Sequence, residues 1–254
     1  MKFLRRLILV LLALLVVAVV VAATCPAEYA YRLVADRLGA LKLLGVSGSI
    51  WQGHATSAQV FGQDVGALDW RVDVAPLFVG EVTAHLALRG GEVTANGVVD
   101  RMRDGSIVVR DTDFAFPARL LAPALDIPAL ELLGRVEGKL GEARIRGFWA
   151  DQARGEVVWR NAACSGAAQA VFGDLEATFS STPEGAIAGV VRDLGGPLAL
   201  AGTFKATMGG YDAEATLSAR DGNPQVADAL RFVGAPQADG SSHLIIHGNL
   251  FKLF

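Results

Sequence analysis

Cysteine is nearly absent from this chain: two residues in 254, Cys25 and Cys164, lie far apart. A pair so placed is no disulfide framework, so whatever folds is held by its own core. Histidine is almost as scarce, at His54, His85, His243 and His247. The stretch HLIIH, ending at His247, would bring two rings to one metal ion only on a helix. Ile245 and Ile246 are β-branched and Gly248 follows, which favours a strand. There, side chains four residues apart stand about 13 Å from each other, too far to share an ion. The chain also lacks HExxH, CxxC and GxSxG, and Gly138-Lys139 has neither the upstream glycine nor the following hydroxyl of a phosphate loop. Basic runs are missing beyond Lys2, Arg5 and Arg6, and the net charge is only -3, which argues against a nucleic-acid partner. Carboxylates are scattered; Asp111 and Asp113 share a strand face as solvated acids, and Arg101 to Gly105 reads as a charged turn. No catalytic, cofactor or metal constellation emerges, so binding is expected and enzymatic activity is not.

Long hydrophobic runs are likewise rare, with one exception. From Leu7 to Ala23 no side chain is polar. As a helix this run spans roughly 25 Å, enough for a hydrocarbon core of about 30 Å with some accommodation. It reads as a transmembrane helix, marked by Leu7, Leu11, Leu15, Val19 and Ala23. The basic residues in 1–6 keep the start cytoplasmic and put everything after the helix on the other side of the membrane. A cleaved signal peptide shares the charged start, but its apolar region would be unusually long and Ala22-Ala23-Thr24 is a poor cleavage site. Lipid attachment at Cys25 fits less well, because Thr24 is bulkier than the small residue such processing wants.

Residues 24–45 predict a juxtamembrane amphipathic helix. Thr24 can cap, Pro26 suits the first turn, and Ala30, Leu33, Val34, Leu38 and Leu41 recur at helical spacing as far as Gly45. This helix is expected to pack under the domain that follows.

From Val46 the pattern becomes short alternating runs broken by glycine. In LALAGTFKATMGGYDAEATLSAR a two-residue turn at Gly209-Gly210 would oppose Met208 to Tyr211, Ala206 to Ala213 and Phe204 to Ala215 on one face. Thr207 with Asp212 and Lys205 with Glu214 would then pair on the other face. EVTAHLALRGGEVTANG repeats the idea around Gly90-Gly91. Further strands are predicted at SIVVRDTDFAF, RVEGKLGEARIRG, ARGEVVWRNA, GDLEATFS, GAIAGVVRDL and SSHLIIHGNL. Helical pieces interrupt them near Pro117 to Leu125 and at NPQVADALRFVG, where Asn223 caps, Val226, Ala229, Leu230 and Val233 form a stripe, and Gly234 ends the turn. The expected fold is therefore mainly β. One N-terminal transmembrane helix precedes a single antiparallel, curved β-sheet periplasmic domain, residues 46–254, with two or three short helices. Inward side chains such as Ala84, Ala206, Ala213, Ala215 and Ala219 are small, so the sheet must be large or be covered by a helix or partner.

The tryptophans sit in or beside these strands. SGSIWQGHA, residues 47–55, holds Trp51 between Gly48 and Gly53, where the glycines permit a sharp turn or bulge and let an indole lie over backbone.

These local patterns together resemble the type II secretion system protein N family. The resemblance rests on Gly48-Ser49-Ile50-Trp51-Gln52-Gly53, on LDWRVDVAPLFVGEV with Trp70, and on GEVVWRNA with Trp159. It continues through a C-terminal block containing Gly209-Gly210 and NPQVADALRFVGAP. It covers essentially the whole chain, although His54 stands where the pattern would have a small or basic residue and Cys164 has no counterpart in it. It implies a cell inner membrane component, single-pass with a periplasmic C-terminal domain, in the machine that exports folded periplasmic proteins. It implies other inner-membrane components, and the secretin, as partners, with no catalytic residue and no cofactor. A competing reading is a lipid or glycolipid carrier, because a membrane-anchored sheet with one apolar face is similar in pattern to AsmA-type and lipopolysaccharide-bridge β-grooves. Small inward residues would leave room for acyl chains there.

Overall fold

The computed structural model describes residues 24–37, 39, 41–60, 62–121, 130–147 and 149–248. The expected transmembrane helix at 7–23 lies outside them. No helix among the described residues is long and apolar enough to cross a membrane. The chain divides into two compact units, residues 1–91 and 92–254, and the β-rich region expected from residue 46 is shared between them.

The first unit opens with α1 (Ala27–Val34). Thr24 does not cap it: Pro26 occupies the N-cap position in an extended conformation, without any side-chain cap bond. The helix also stops well before Gly45. A 3₁₀ turn, Ala35–Arg37, follows, and Leu41–Leu44 is a strand, β1. Two features explain the early stop. Gly39 takes a left-handed φ of +58°, and β1 finds a ladder partner in residues 57–60. The Tyr31 hydroxyl accepts the Leu43 N–H at 2.9 Å, tying helix to strand. Of the apolar stripe expected to face the domain, Leu33 is 82% exposed and Val34 exposed, while Ala30 and Leu41 are half-buried and Leu38 lies outside the described residues. Four more strands complete the unit: β2 (Ser47–Gly48), β3 (Gln52–Val60), β4 (Gln63–Asp73) and β5 (Val82–Arg89). All pairings are antiparallel, in the order β1-β3-β4-β5, with β2 also on β3.

The second unit is a longer antiparallel meander. Its strands are β6 (Thr94–Arg101), β7 (Ile107–Pro117), β8 (Leu130–Arg146), β9 (Trp149–Gly166), β10 (Ala170–Ser181), β11 (Ile187–Asp193), β12 (Leu198–Thr207) and β13 (Gly210–Ala219). After α2 (Pro224–Ala229) come β14 (Ala235–Pro236) and β15 (Ser242–Gly248). Neighbours in sequence are neighbours in the sheet until β13, which pairs with β15, and β14 lies outside β15. The sheet stays open. Every strand named from the sequence forms, because each apolar/polar alternation has a partner of matching period beside it.

One register differs from the sequence expectation. Thr207 opposes Gly210, so the two-residue turn is Met208-Gly209 and not Gly209-Gly210. Lys205 then faces Asp212 and Thr203 faces Glu214, a displacement of two residues. Period-2 alternation cannot distinguish registers two residues apart, since both keep each side chain on its face. The faces are accordingly as expected: Leu198, Leu200 and Leu217 are buried, while Lys205, Asp212 and Glu214 are exposed.

The core of this unit sits at one end of the apolar face. Leu175, Leu198, Leu200 and Leu217 pack against Val226, Ala229 and Leu230 of α2 and its following turn. Asn223 caps α2 as its sequence suggests, its side chain accepting the Gln225 and Val226 N–H groups. Gly234 ends the segment with φ +73°. A second cluster joins Ala118, Leu132 and Val136, and Trp159 packs against both. Ala118–Leu121 forms a 3₁₀ turn, and the rest of the helical piece expected there lies outside the described residues.

Candidate functional site

Glycines inside the strands are repeatedly covered by an aromatic ring on the facing strand. In the first unit Gly53 opposes Trp70, and a Cβ at position 53 would collide with the indole. In the second, Phe114 opposes Gly138, Phe179 opposes Gly155, Phe204 opposes Gly189 and Tyr211 opposes Gly248. In each case a side chain at the glycine would enter space the ring occupies. Large rings lying flat over bare backbone restore the packing that glycine alone gives up.

This answers what SGSIWQGHA does locally. Gly48 has φ +83°, and a Cβ there would meet the Gln52 carbonyl and Gly53 backbone, so Ser47–Gly53 can close tightly. The ring that lies over backbone belongs to Trp70 and not Trp51. Trp70 also donates its Nε1–H to the Ser49 carbonyl at 3.3 Å. Trp51 contributes its carbonyl, which accepts the Val72 N–H at 2.7 Å. Trp159 donates Nε1–H to the Leu133 carbonyl at 2.8 Å. Gly209 lies in the β12–β13 turn, and Gly210 opens β13, its carbonyl accepting the Thr207 hydroxyl at 3.2 Å. Gly48, Trp51, Gly53 and Trp70 thus gather in one corner of the first unit, whereas Trp159, Gly209 and Gly210 belong to the second.

Registers assign the apolar face of the second unit directly. Val136, Trp159 and Leu175 lie in one row across β8 to β10, and Val157, Ala177, Val191 and Gly202 in the next row from β9 to β12. Where the inward residues shrink to Ala177, Gly202, Ala213 and Ala215, a cavity of about 410 Å³ remains, bounded also by Trp159, Leu200, Leu244 and, from α2 and its following turn, Ala229 and Leu230. Among the described residues no lysine, arginine or histidine lines it. Gly202 could not be larger, because a Cβ would stand 2.7 Å from the Glu214 carbonyl and from the Ala215 methyl.

The opposite face is charged and internally paired. Arg192 meets Glu176 at 2.5 Å, Arg160 meets Asp174 at 2.7 Å and Arg110 meets Asp100 at 2.5 Å. The Asp174 carboxyl is held below the ordinary range by its bond to Arg160. All four histidines bond an acid on a neighbouring strand: His54 with Asp69, His85 with Asp73, His243 with Glu214 and His247 with Asp212. His243 and His247 therefore do not converge, as their spacing on a strand required. A wide depression of about 690 Å³ on this face includes Thr203, Lys205, Asp212 and His247. Among the described residues no group of three or more His, Cys, Asp or Glu side chains could hold a metal ion. Cys164 is buried in the core, and desolvation pushes its thiol up. Asp193 is different in kind. Burial would raise it, but the Leu200 N–H, the Arg220 guanidinium and the Gly195 N–H outweigh that and hold it at about 2.

Of the cavity's lining, the sequence marks Ala213 and Ala215, as small inward residues that would leave room for acyl chains; the cavity as a whole it does not mark. What the geometry defines is a scaffold of antiparallel sheet with one apolar and one charged face. The profile of the family described as "Type II secretion system (T2SS), protein N" matches residues 39–244. The chain belongs to that family, a component of the type II secretion machinery. It is similar to "Type II secretion system protein N" of Vibrio cholerae serotype O1, with 28% identity over 123 residues. That match covers 47% of this chain and 48% of the relative, so the chain spans about half the length of the curated relative it matches. No solved structure matches the chain.

Proposed function

We propose that the protein is a non-enzymatic, inner-membrane-anchored component of the type II secretion system, helping to export folded periplasmic proteins through contacts with other parts of the machine. The observation that carries this reading is the family match over residues 39–244. The anchor is the apolar run from Leu7 to Ala23, and the described units face the periplasm. Further support comes from the last strand. Among the described strands, β14 meets β15 only at Ser242 and His243, leaving Leu244 to Gly248 paired on one side, by β13. An unpaired strand edge is a docking surface for another chain's backbone. Ile245, 53% exposed, offers an apolar contact on that strand.

A photo-crosslinking residue at Ile245 in the native membrane tests the reading together with a secretion assay. Adducts with other secretion components, and loss of extracellular cargo on deletion of the gene, are the expected results. Full secretion by the deletion strain with no adduct would overturn it.

A further inference from the structure

We propose that the cavity on the apolar face of the second unit binds one acyl chain of a membrane phospholipid. This goes beyond the secretion reading and stands on different observations. Protein interiors rarely leave a void larger than a water molecule, and a large apolar one is a standing loss of packing. Here about 410 Å³ is left open among residues of the core itself, Leu198, Leu200, Leu217 and Leu230 included. Water would find almost no partner in it, since apart from Glu176, Thr203 and Glu214 the described residues around it are apolar or glycine or cysteine. The void is also built in. Gly202 cannot carry a side chain without striking Ala215 and the Glu214 carbonyl, so no side chain from that position can fill the cavity.

Size and polarity select the occupant. A helix about 10 Å wide would use up this volume in about one turn, which excludes a folded peptide segment. At about 30 Å³ per group, the share of one water and close to that of one methylene, the space takes a chain of about a dozen carbons. That is the inner part of one acyl chain. With no lysine, arginine or histidine among the described residues around the cavity, none of these would hold the carboxylate of a free fatty acid. The chain must therefore belong to a lipid whose headgroup stays outside.

The test uses the full chain in phosphatidylcholine nanodiscs containing a small fraction of the same lipid with a diazirine in its palmitoyl chain. After irradiation, labelled peptides are mapped by mass spectrometry. Label taken up by residues 7–23 serves as an internal reference. Label on the strands carrying Val157, Ala177 and Val191 is expected. It should fall at least about tenfold in the cavity-filling variants Ala177→Phe and Ala215→Leu. Ala201→Phe, on the exposed face of β12, should leave it unchanged. Circular dichroism checks each variant; where one does not fold, the other and the wild-type map decide. Label absent from these strands, or present but unaffected by a folded cavity-filling variant, overturns the proposal. So does labelling by diazirine-palmitic acid where the phospholipid gives none. Intact secretion with a filled cavity would leave the secretion reading standing, so the two ideas fail separately.

Discussion

Phe114 lies directly across Gly138 on the neighbouring strand, so close that all three nearest neighbours of a Cβ at 138 would be ring atoms of Phe114. The ring also stacks on Phe116, with centroids 6.1 Å apart. A side-chain obstacle can move; a backbone one cannot. Gly138→Ala should cost about 1–2 kcal/mol in urea unfolding, and Phe114→Ala should largely remove that penalty. Gly189 offers the contrast. Its Cβ would meet the Thr178 carbonyl as well as the Phe204 ring. Gly189→Ala should therefore cost about 2–3 kcal/mol whether or not Phe204 is present. Equal rescue in both double mutants would show that the rings, and not the ladder geometry, set the need for glycine.

The β12–β13 register can be read chemically. In a C25S/C164A background, K205C/D212C should form a disulfide on oxidation, because these residues are directly opposed. T207C/D212C should not. That pair is diagonal, about 7–8 Å apart, beyond the span a disulfide bridges without backbone movement. Mass measurement after alkylation distinguishes them.

Asp193 fastens the β11–β12 turn to the end of β13 through Arg220, at 2.6 Å, and through the Leu200 and Gly195 N–H groups. Its folded pKa of about 2 lies below the ordinary carboxylate value of 3.8. The stabilisation it gives is complete above the unfolded value and is lost as pH falls through the folded one. At pH 7, Asp193→Asn should destabilise by about 2 kcal/mol. The gap to wild type should narrow between pH 4 and pH 2. A gap independent of pH in that window would mean that shape, not charge, is what Asp193 supplies.

Asn223 holds the first turn of α2 by accepting the Gln225 and Val226 N–H groups, both at 3.1 Å. Asn223→Ala should cost about 1 kcal/mol, and Asn223→Asp should restore most of it. Thermal unfolding followed by circular dichroism checks both. Because Ala229 of α2 and Leu230 after it line the cavity, Asn223→Asp, which keeps the cap, should also keep the lipid labelling.

The sequence by itself determined which segments are strands, which side of each strand is apolar, and where α2 starts and stops. Those features are local: alternation in period 2, a capping asparagine before proline, a glycine at the end. It also carried the family, since the ordered glycine and tryptophan positions run the length of the chain. Only the tertiary structure decided the β12–β13 register, because a slip of two residues leaves the alternation intact. It alone converted Leu41–Leu44 from the end of a helix into a strand, since their ladder partners lie in residues 57–60. It alone gave the indole over Gly53 to Trp70, a residue close in space and remote in sequence. The cavity is of the same kind. Small inward residues are visible along each strand, but whether they make a weak core or an open space depends on what packs against them, and α2 borders the space without filling it.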